Sequence, residues 1–232
     1  MKYFDQEKLL SFKKIGIVDI GWRGRLQKSL SNIIHSYNKN IEIHGFYFGL
    51  HQTFFENQLN NYSYSYFKLP NIKRDTDYIV RYDFIIELFT AANHASCIGY
   101  SNSNNKIIPE FSNNQFLKNS TIELQLDGIL NFAKEKTSNI PAHKVLNSIN
   151  FISLTEIILS KFFTNPTFNE AKYFGNTILY EDQTENKGYK LAPKISFIKA
   201  FLIKKNKLNF PHNNVWREGF FNRLHPNFHR LE

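Results

Sequence analysis

Residues 15–30 read IGIVDIGWRGRLQKSL, an apolar run closed by an acid, a glycine-punctuated turn and the start of an amphipathic segment. Five of the six residues from Ile15 to Ile20 are Ile, Gly or Val, the composition of a short strand buried on both faces of a parallel sheet. The exception is Asp19. Beyond the turn, Leu26, Leu30, Ile33 and Ile34 fall at helical spacing, which predicts a helix over Arg25–Tyr37 lying on a sheet. Residues Ile41–Leu50, IEIHGFYFGL, alternate and favour the next strand. A strand-turn-helix-strand unit of this length favours a right-handed parallel crossover. The expected fold class is therefore α/β, with a partial Rossmann-like parallel sheet.

Working outward, Asp5–Lys14 carries Leu9, Leu10 and Phe12 among charges and predicts a lead-in helix. Residues Asn57–Tyr66 are rich in Asn, Ser and Tyr and are expected to form a loop or irregular excursion. Tyr82–Ala92 has helical spacing, and Gly99–Phe111 suits a small hairpin turning at Asn102–Asn105. Helices are expected over Ile122–Lys136, Ala142–Phe163 after Pro141, a short segment capped by Thr167, Ile195–Lys204 and Val215–Arg223, with a strand at Ile178–Glu181. The economical division is an α/β ligand-binding core over 1–115 and a helical C-terminal extension over 116–232. A complete doubly wound sheet needs more strands than this, which leaves two readings open, one continuous domain or a fragment of a larger protein.

Composition narrows the function classes. The 232 residues are 42% hydrophobic, enough for a sizeable core. A single cysteine, Cys97, excludes an intrachain disulfide and fits a reducing compartment, so a cytoplasmic location is expected. No apolar run approaches the roughly 20 residues of a bilayer-spanning helix. The formal net charge of +9 fits an anionic partner. Its basic residues are dispersed, with small clusters at Lys13–Lys14, Arg23–Arg25–Lys28 and Lys204–Lys205–Lys207, and no aromatic-basic RNA motif or zinc finger accompanies them. No nucleic-acid partner is expected; an anionic small molecule suits the charge better.

The turn at Asp19–Gln27 is the first candidate site. An acid at the carboxyl end of a parallel strand, followed by Gly21, Gly24 and a helix, puts a carboxylate and backbone N–H donors where open α/β sheets bind ligands. Asp19 has two readings, a turn cap and a ligand-facing group. Arg23 and Arg25 favour the second, because cations in a first helical turn oppose the helix dipole unless an anion sits there. Gly21, Arg23, Gly24 and Gln27 are the candidate ligand contacts, and Trp22 is either a lid on the core or a stacking surface for a sugar or base. Glu87 and His94, seven residues apart on one expected helix, form a second pair suited to acid–base work, His94 also being a plausible helix-end cap. The turn has Arg23 and Arg25 where a methyltransferase loop has its later glycines, no acid ends the next strand at Phe48–Leu50, and the D-x-D of a haloacid-dehalogenase phosphatase and the P-loop pattern are absent. The remaining histidines show no metal-ligand spacing, so neither a metal nor a cofactor is expected.

Four blocks carry a resemblance. They are VDIGWRGRLQKSL, HGFYFGL, IELFTAANHASCIGY and NPTFNEAKYFG, in that order over most of residues 15–180. The chain resembles the second, C-terminal α/β domain of haloacid-dehalogenase-like proteins from bacterial surface-polysaccharide gene clusters, without the hydrolase domain. That resemblance implies a cytoplasmic role, at most peripheral to the inner membrane, in polysaccharide or lipopolysaccharide assembly. It implies a sugar-phosphate or nucleotide-sugar ligand and transferase-like chemistry in which Asp19, Glu87 and His94 take part. Arg25 stands where the family has a small hydroxyl residue, and Ala95 where it has glycine. The rival expectation is a non-catalytic remnant or a partner-binding module that completes a separately encoded protein.

Overall fold

The computed structural model describes residues 1–51, 59–68, 78–112, 120–138, 141, 144, 149–180, 188–212 and 215–224. The chain is mixed α/β and divides into two compact units: Met1–Thr76 with Cys97–Phe111, and Asp77–Ser96 with Ser112–Glu232. Residues 77–96, which a division at residue 115 keeps with the N-terminal part, cluster with the C-terminal part.

The first unit is built on a three-stranded parallel sheet in the order β1 (Lys14–Asp19), β2 (Glu42–Leu50), β3 (Asn61–Lys68). Helix α1 (Lys2–Gln6) and a 3₁₀ turn at Leu9–Ser11 precede it, and α2 (Arg25–Tyr37) connects β1 to β2. The expected strand-turn-helix-strand unit is present, and its two strands pair in parallel from Lys14↔Glu42 to Asp19↔Tyr47. The lead-in helix is shorter than expected and starts earlier. Ile15, Ile34, Ile41 and Ile43 form the core, with Phe4, Leu9, Leu10, Ile17 and Leu30 packed around them.

Two expectations fail in this unit. β1 is buried on one face only: Ile15 is inside, while Val18 on the opposite face is 90% exposed. Of the expected loop over Asn57–Tyr66, residues 57–58 lie outside the described residues and 61–66 belong to β3. Their Tyr-Ser alternation is a period-two pattern, which the turn-forming character of Asn and Ser masks. One sheet face, with Ile15, Ile17, Ile43, Gly45, Tyr47, Asn61 and Phe67, is the inner one. The other carries His44, Phe46 and Phe48 beside Tyr62, Tyr64 and Tyr66 in a cross-strand ladder. His44–Tyr62, Phe46–Tyr64 and Phe48–Tyr66 stack with centroids 4.7, 5.2 and 6.0 Å apart and interplanar angles of 21°, 18° and 21°.

The unit also contains the hairpin β4 (Cys97–Ser103) and β5 (Lys106–Phe111), close to the expected span. Asn104 and Asn105 turn it with φ of 50° and 62°, the two positive values that a two-residue hairpin turn needs.

In the second unit, α3 (Tyr78–Arg81) and α4 (Asp83–Phe89) lead to α5 (Ser120–Thr137), α6 (Ile149–Thr164), α7 (Phe168–Phe174), α8 (Phe197–Lys204) and α9 (Arg217–Asn222). Of the expected helix over 142–163, residues 142–143 and 145–148 lie outside the described residues. The part after 115 is not purely helical: β6 (Ile178–Tyr180) pairs antiparallel with β7 (Gly188–Lys190), a partner strand the sequence pattern does not announce. Thr167 closes the expected cap reciprocally, its Oγ1 accepting from Glu170 N at 3.2 Å and its own N–H donating to Glu170 Oε2 at 2.6 Å. The core here is aromatic. Trp216, Phe163, Tyr82 and Phe220 are buried, and Phe162 packs on Phe163, Phe174 and Trp216. Among the described residues no helix is long and apolar enough to cross a membrane.

Candidate functional site

The segment from Asp19 to Arg25 runs along the carboxyl end of β2. After β1 ends, Ile20 O accepts from Gly49 N at 3.0 Å and Trp22 O accepts from His51 N at 2.8 Å, so the turn stays laced to β2. Gly21 sits at φ +144°, and a Cβ there would lie 2.0 Å from the Gly49 carbonyl oxygen. Only glycine fits this approach. The Gly21–Trp22 peptide bond is cis. Asp19 folds back on the turn, its Oδ1 accepting from Gly21 N at 3.3 Å. That bond is the turn-capping reading of Asp19. The carboxylate is half-buried and opposite Tyr47 in the strand register.

Gly24 opens α2 in the left-handed conformation, φ 65° and ψ 17°. Gly24 has no side chain with which to cap the helix, and no acid lies in the first turn to balance its partial positive charge. Arg23 and Arg25 are both exposed. Trp22 is half-buried and meets Phe48 edge-on at 6.5 Å, at the end of the aromatic ladder, as a lid does.

Gln27 corrects the sequence reading. It is fully buried, and its amide binds the sheet beneath: Nε2 donates to the Tyr62 carbonyl at 3.0 Å and to Asn61 Oδ1 at 3.3 Å, while Oε1 accepts from the Tyr47 hydroxyl at 2.6 Å. It cannot also serve a ligand. The buried stripe of α2 is Gln27, Ser31 and Ile34, whereas Leu26 and Ile33, expected inside, are 60% and 45% exposed. A polar seam therefore joins helix to sheet. Asn61 Nδ2 donates to Ser31 Oγ, Ser31 meets His35 Nδ1 at 3.4 Å, and His35 Nε2 meets the Ile41 carbonyl at 2.9 Å. Burial, reinforced by the Asp19 carboxylate, pushes the Tyr47 phenol up to about 12, so it stays protonated and donating. Space for Gln27 comes from Gly45, where a Cβ would lie 1.9 Å from Gln27 Oε1.

Glu87 and His94 belong to the second unit, Asp19 to Gln27 to the first. The helix carrying Glu87 ends at Phe89. Thr90 tightens the last turn, its N–H donating to Glu87 O at 3.2 Å and its hydroxyl to the same carbonyl at 3.3 Å. His94 follows in the bend beyond, with Nδ1 3.0 Å from Ala95 O, so Glu87 and His94 do not share one helix face. Both residues are exposed.

Sequence reasoning missed the group Lys14, Glu42, His44 and Tyr64 on the laddered face. Glu42 Oε2 lies 2.9 Å from Lys14 Nζ and 3.0 Å from His44 Nε2, and the Tyr64 hydroxyl lies 3.4 Å from His44 Nδ1. Hydrogen bonds from Lys14 and then His44 hold the Glu42 carboxyl below its ordinary range. The signal was the i, i+2 spacing of Glu42 and His44 on a strand, which puts them on one face. Among the described residues, no three His, Cys, Asp or Glu side chains gather as a metal site would require.

The turn thus offers backbone donors and a helix start, opened by Gly24, flanked by two arginines. Compared with known proteins, the chain matches no protein-family profile, no curated protein and no solved structure.

Proposed function

We propose that the first unit binds an anionic sugar derivative, a sugar phosphate or nucleotide sugar, at the Asp19–Gly24 turn, as part of a transferase-like, Rossmann-like protein of bacterial surface-polysaccharide assembly. The observation that carries the binding reading is the start of α2: a left-handed Gly24, no side-chain cap and no first-turn acid, between Arg23 and Arg25. A phosphate there would accept from helix-start N–H groups and offset the helix's partial positive charge. Asp19 would take ligand hydroxyls with the carboxylate oxygen left over from its bond to Gly21. Gln27 acts from beneath, fixing the helix on the sheet. The polysaccharide setting rests on the sequence resemblance, the cytoplasmic location on that resemblance and the single cysteine, and any acid–base role of Glu87 and His94 on the resemblance and their residue types.

A thermal-shift titration with nucleoside-diphosphate sugars, sugar phosphates and inorganic phosphate tests the binding reading. A ligand at about 100 times its Kd adds about 2.7 kcal/mol to stability. The melting temperature should rise for wild type and stay flat for Arg23→Ala and Asp19→Ala. A cooperative transition that no anion shifts, or a shift that both variants retain, overturns it.

A second reading is supported by the open ladder. Parallel sheets are ordinarily covered on both faces, whereas Val18, Phe46, Tyr62 and Tyr64 are 90%, 47%, 43% and 49% exposed. This favours the partner-binding module, in which a separately encoded protein supplies the missing layer. Pull-down by an adjacent reading frame's product, with no anion response, would select it.

A further inference from the structure

We propose that β3 is a self-recognition edge, through which two copies of this chain pair antiparallel to continue the aromatic ladder into a six-stranded sheet. The inference goes beyond the ligand reading and does not draw on it. Edge strands are normally kept short or blunted with charges, proline or bulges, because their outward N–H and C=O groups template further pairing. β3 has none of these devices over Asn61–Phe67: it runs eight residues to Lys68, keeps one register with β2 throughout, and is uncharged until that last residue. The opposite edge, β1, is six residues long, begins with Lys14 and ends with Asp19. Among the described residues no strand pairs with the outer side of β3.

The phase of the β2–β3 ladder fixes which groups face outward. Ile43 N donates to Asn60 O, and Ile43 is registered with Asn61, so Tyr62, Tyr64 and Tyr66 turn their backbone groups to β2. The backbones of Ser63, Ser65 and Phe67 face away. The same alternation leaves Tyr62 and Tyr64 with one ring face stacked on the β2 aromatics and the other toward the edge.

A two-fold axis normal to the sheet beside Tyr64 sets Tyr64 against its own copy, Tyr62 against Tyr66 and Ser63 against Ser65. Every contact among Asn61–Phe67 in that register joins uncharged residues, although the chain as a whole carries +9. The aromatic rings then continue across the joint on one face and the serines meet on the other. A second copy is the occupant that meets both demands at once, an uncharged strand with the same alternation. An eight-residue strand buries little area, so the pairing is reversible and concentration-dependent.

Sedimentation from about 1 μM to about 1 mM reads it directly. Wild type should pass from monomer to dimer and no further, and added salt should strengthen the association by screening net repulsion. Ser65→Pro removes one outward donor without touching the bonds to β2, and should weaken the dimer at least about tenfold with an unchanged circular dichroism spectrum. Ser65→Thr should behave as wild type. A cross-link supplies a second readout should the proline unfold the sheet. Tyr64 would be a non-hydrogen-bonded pair with Cα atoms about 4.5 Å apart, within disulfide reach. In a Cys97→Ser background, Tyr64→Cys should oxidise to a covalent dimer, and Tyr62→Cys should not. A wild-type chain that stays monomeric, equal cross-linking at positions 62 and 64, or a monomer whose tyrosine fluorescence is quenched by a single-stranded oligonucleotide would each overturn the proposal.

Discussion

The two units of this chain solve the same problem with different materials. In the first, backbone pairing sets the frame and a polar seam fastens the helix: Gln27, Tyr47, Asn61, Ser31 and His35 occupy the helix–sheet interface where aliphatic side chains would ordinarily interdigitate. In the second, large rings fill the interior and polar side chains reach stray carbonyls. Trp216 Nε1 donates to Phe163 O at 2.9 Å, Asn222 Nδ2 to Pro166 O at 2.6 Å, and Arg223 to the Ala192 carbonyl. A polar seam is position-specific, since each bond needs its own partner, whereas an aromatic core draws mainly on buried area and tolerates rearrangement. The first unit should therefore fail sharply at few positions and the second gradually at many.

The largest test falls on the second unit. Trp216→Ala should cost about 3–5 kcal/mol in denaturant unfolding, from lost burial and the stranded Phe163 carbonyl. Trp216→Phe keeps most of the area and should cost about 1–3 kcal/mol. Next comes the seam: Gln27→Ala, a smaller excision, should still cost about 2–4 kcal/mol because it leaves the Tyr47 hydroxyl and the Asn61 amide system unmatched. Were it to cost less than Trp216→Phe, the distinction between the units would collapse. Gly21→Ala should cost about 1–3 kcal/mol through its positive φ and the Gly49 carbonyl, and should erase any anion response with it.

Alkaline titration sharpens the same comparison. Each unit buries one tyrosine that holds its proton: Tyr47, raised to about 12 by burial and Asp19, and Tyr82, raised further by burial and by Glu218, which it hydrogen-bonds. A pKa raised on folding means that the unfolded chain loses its proton first. Stability from Tyr47 is thus intact below pH 10 and declines as pH climbs toward 12. Tyr47→Phe and Tyr82→Phe should each flatten that decline. The smallest effect belongs to Lys14→Ala, which removes an exposed ion pair with Glu42 and should leave the melting temperature within error at physiological salt.

Much of this frame was legible in the sequence. The β1-α2-β2 unit, the Asn104–Asn105 hairpin and the Thr167 cap were readable because each depends on local chemistry: a period, a positive-φ residue, a hydroxyl three residues before an acid. What escaped depends on non-local matching. β3 hid because Asn and Ser favour turns, and only pairing with β2 recruits its tyrosines into a strand. Gln27 hid for the opposite reason: a polar residue on a helix next to arginines looks exposed until Tyr47 and Tyr62, 20 and 35 residues later, are placed over it. The helix expected over Tyr82–Ala92 stops at Phe89, where Thr90 satisfies the Glu87 carbonyl with its own hydroxyl. At the candidate site, the glycines and the carboxylate were visible from spacing, but the close approach of Gly21 to Gly49 needed the fold.

Gly45 and Gln27 behave as one heritable unit. A side chain at position 45 collides with the amide of Gln27 and the ring of Tyr47, and shortening Gln27 to admit it leaves the phenol with an unanswered proton. Neither change is neutral alone, so a lineage or a designer leaving this pair must cross a fitness valley or replace glycine, glutamine and tyrosine together. Such linked positions freeze a protein's history: the sheet and helix can drift around them, but the hole at 45 and the amide that fills it travel as a set.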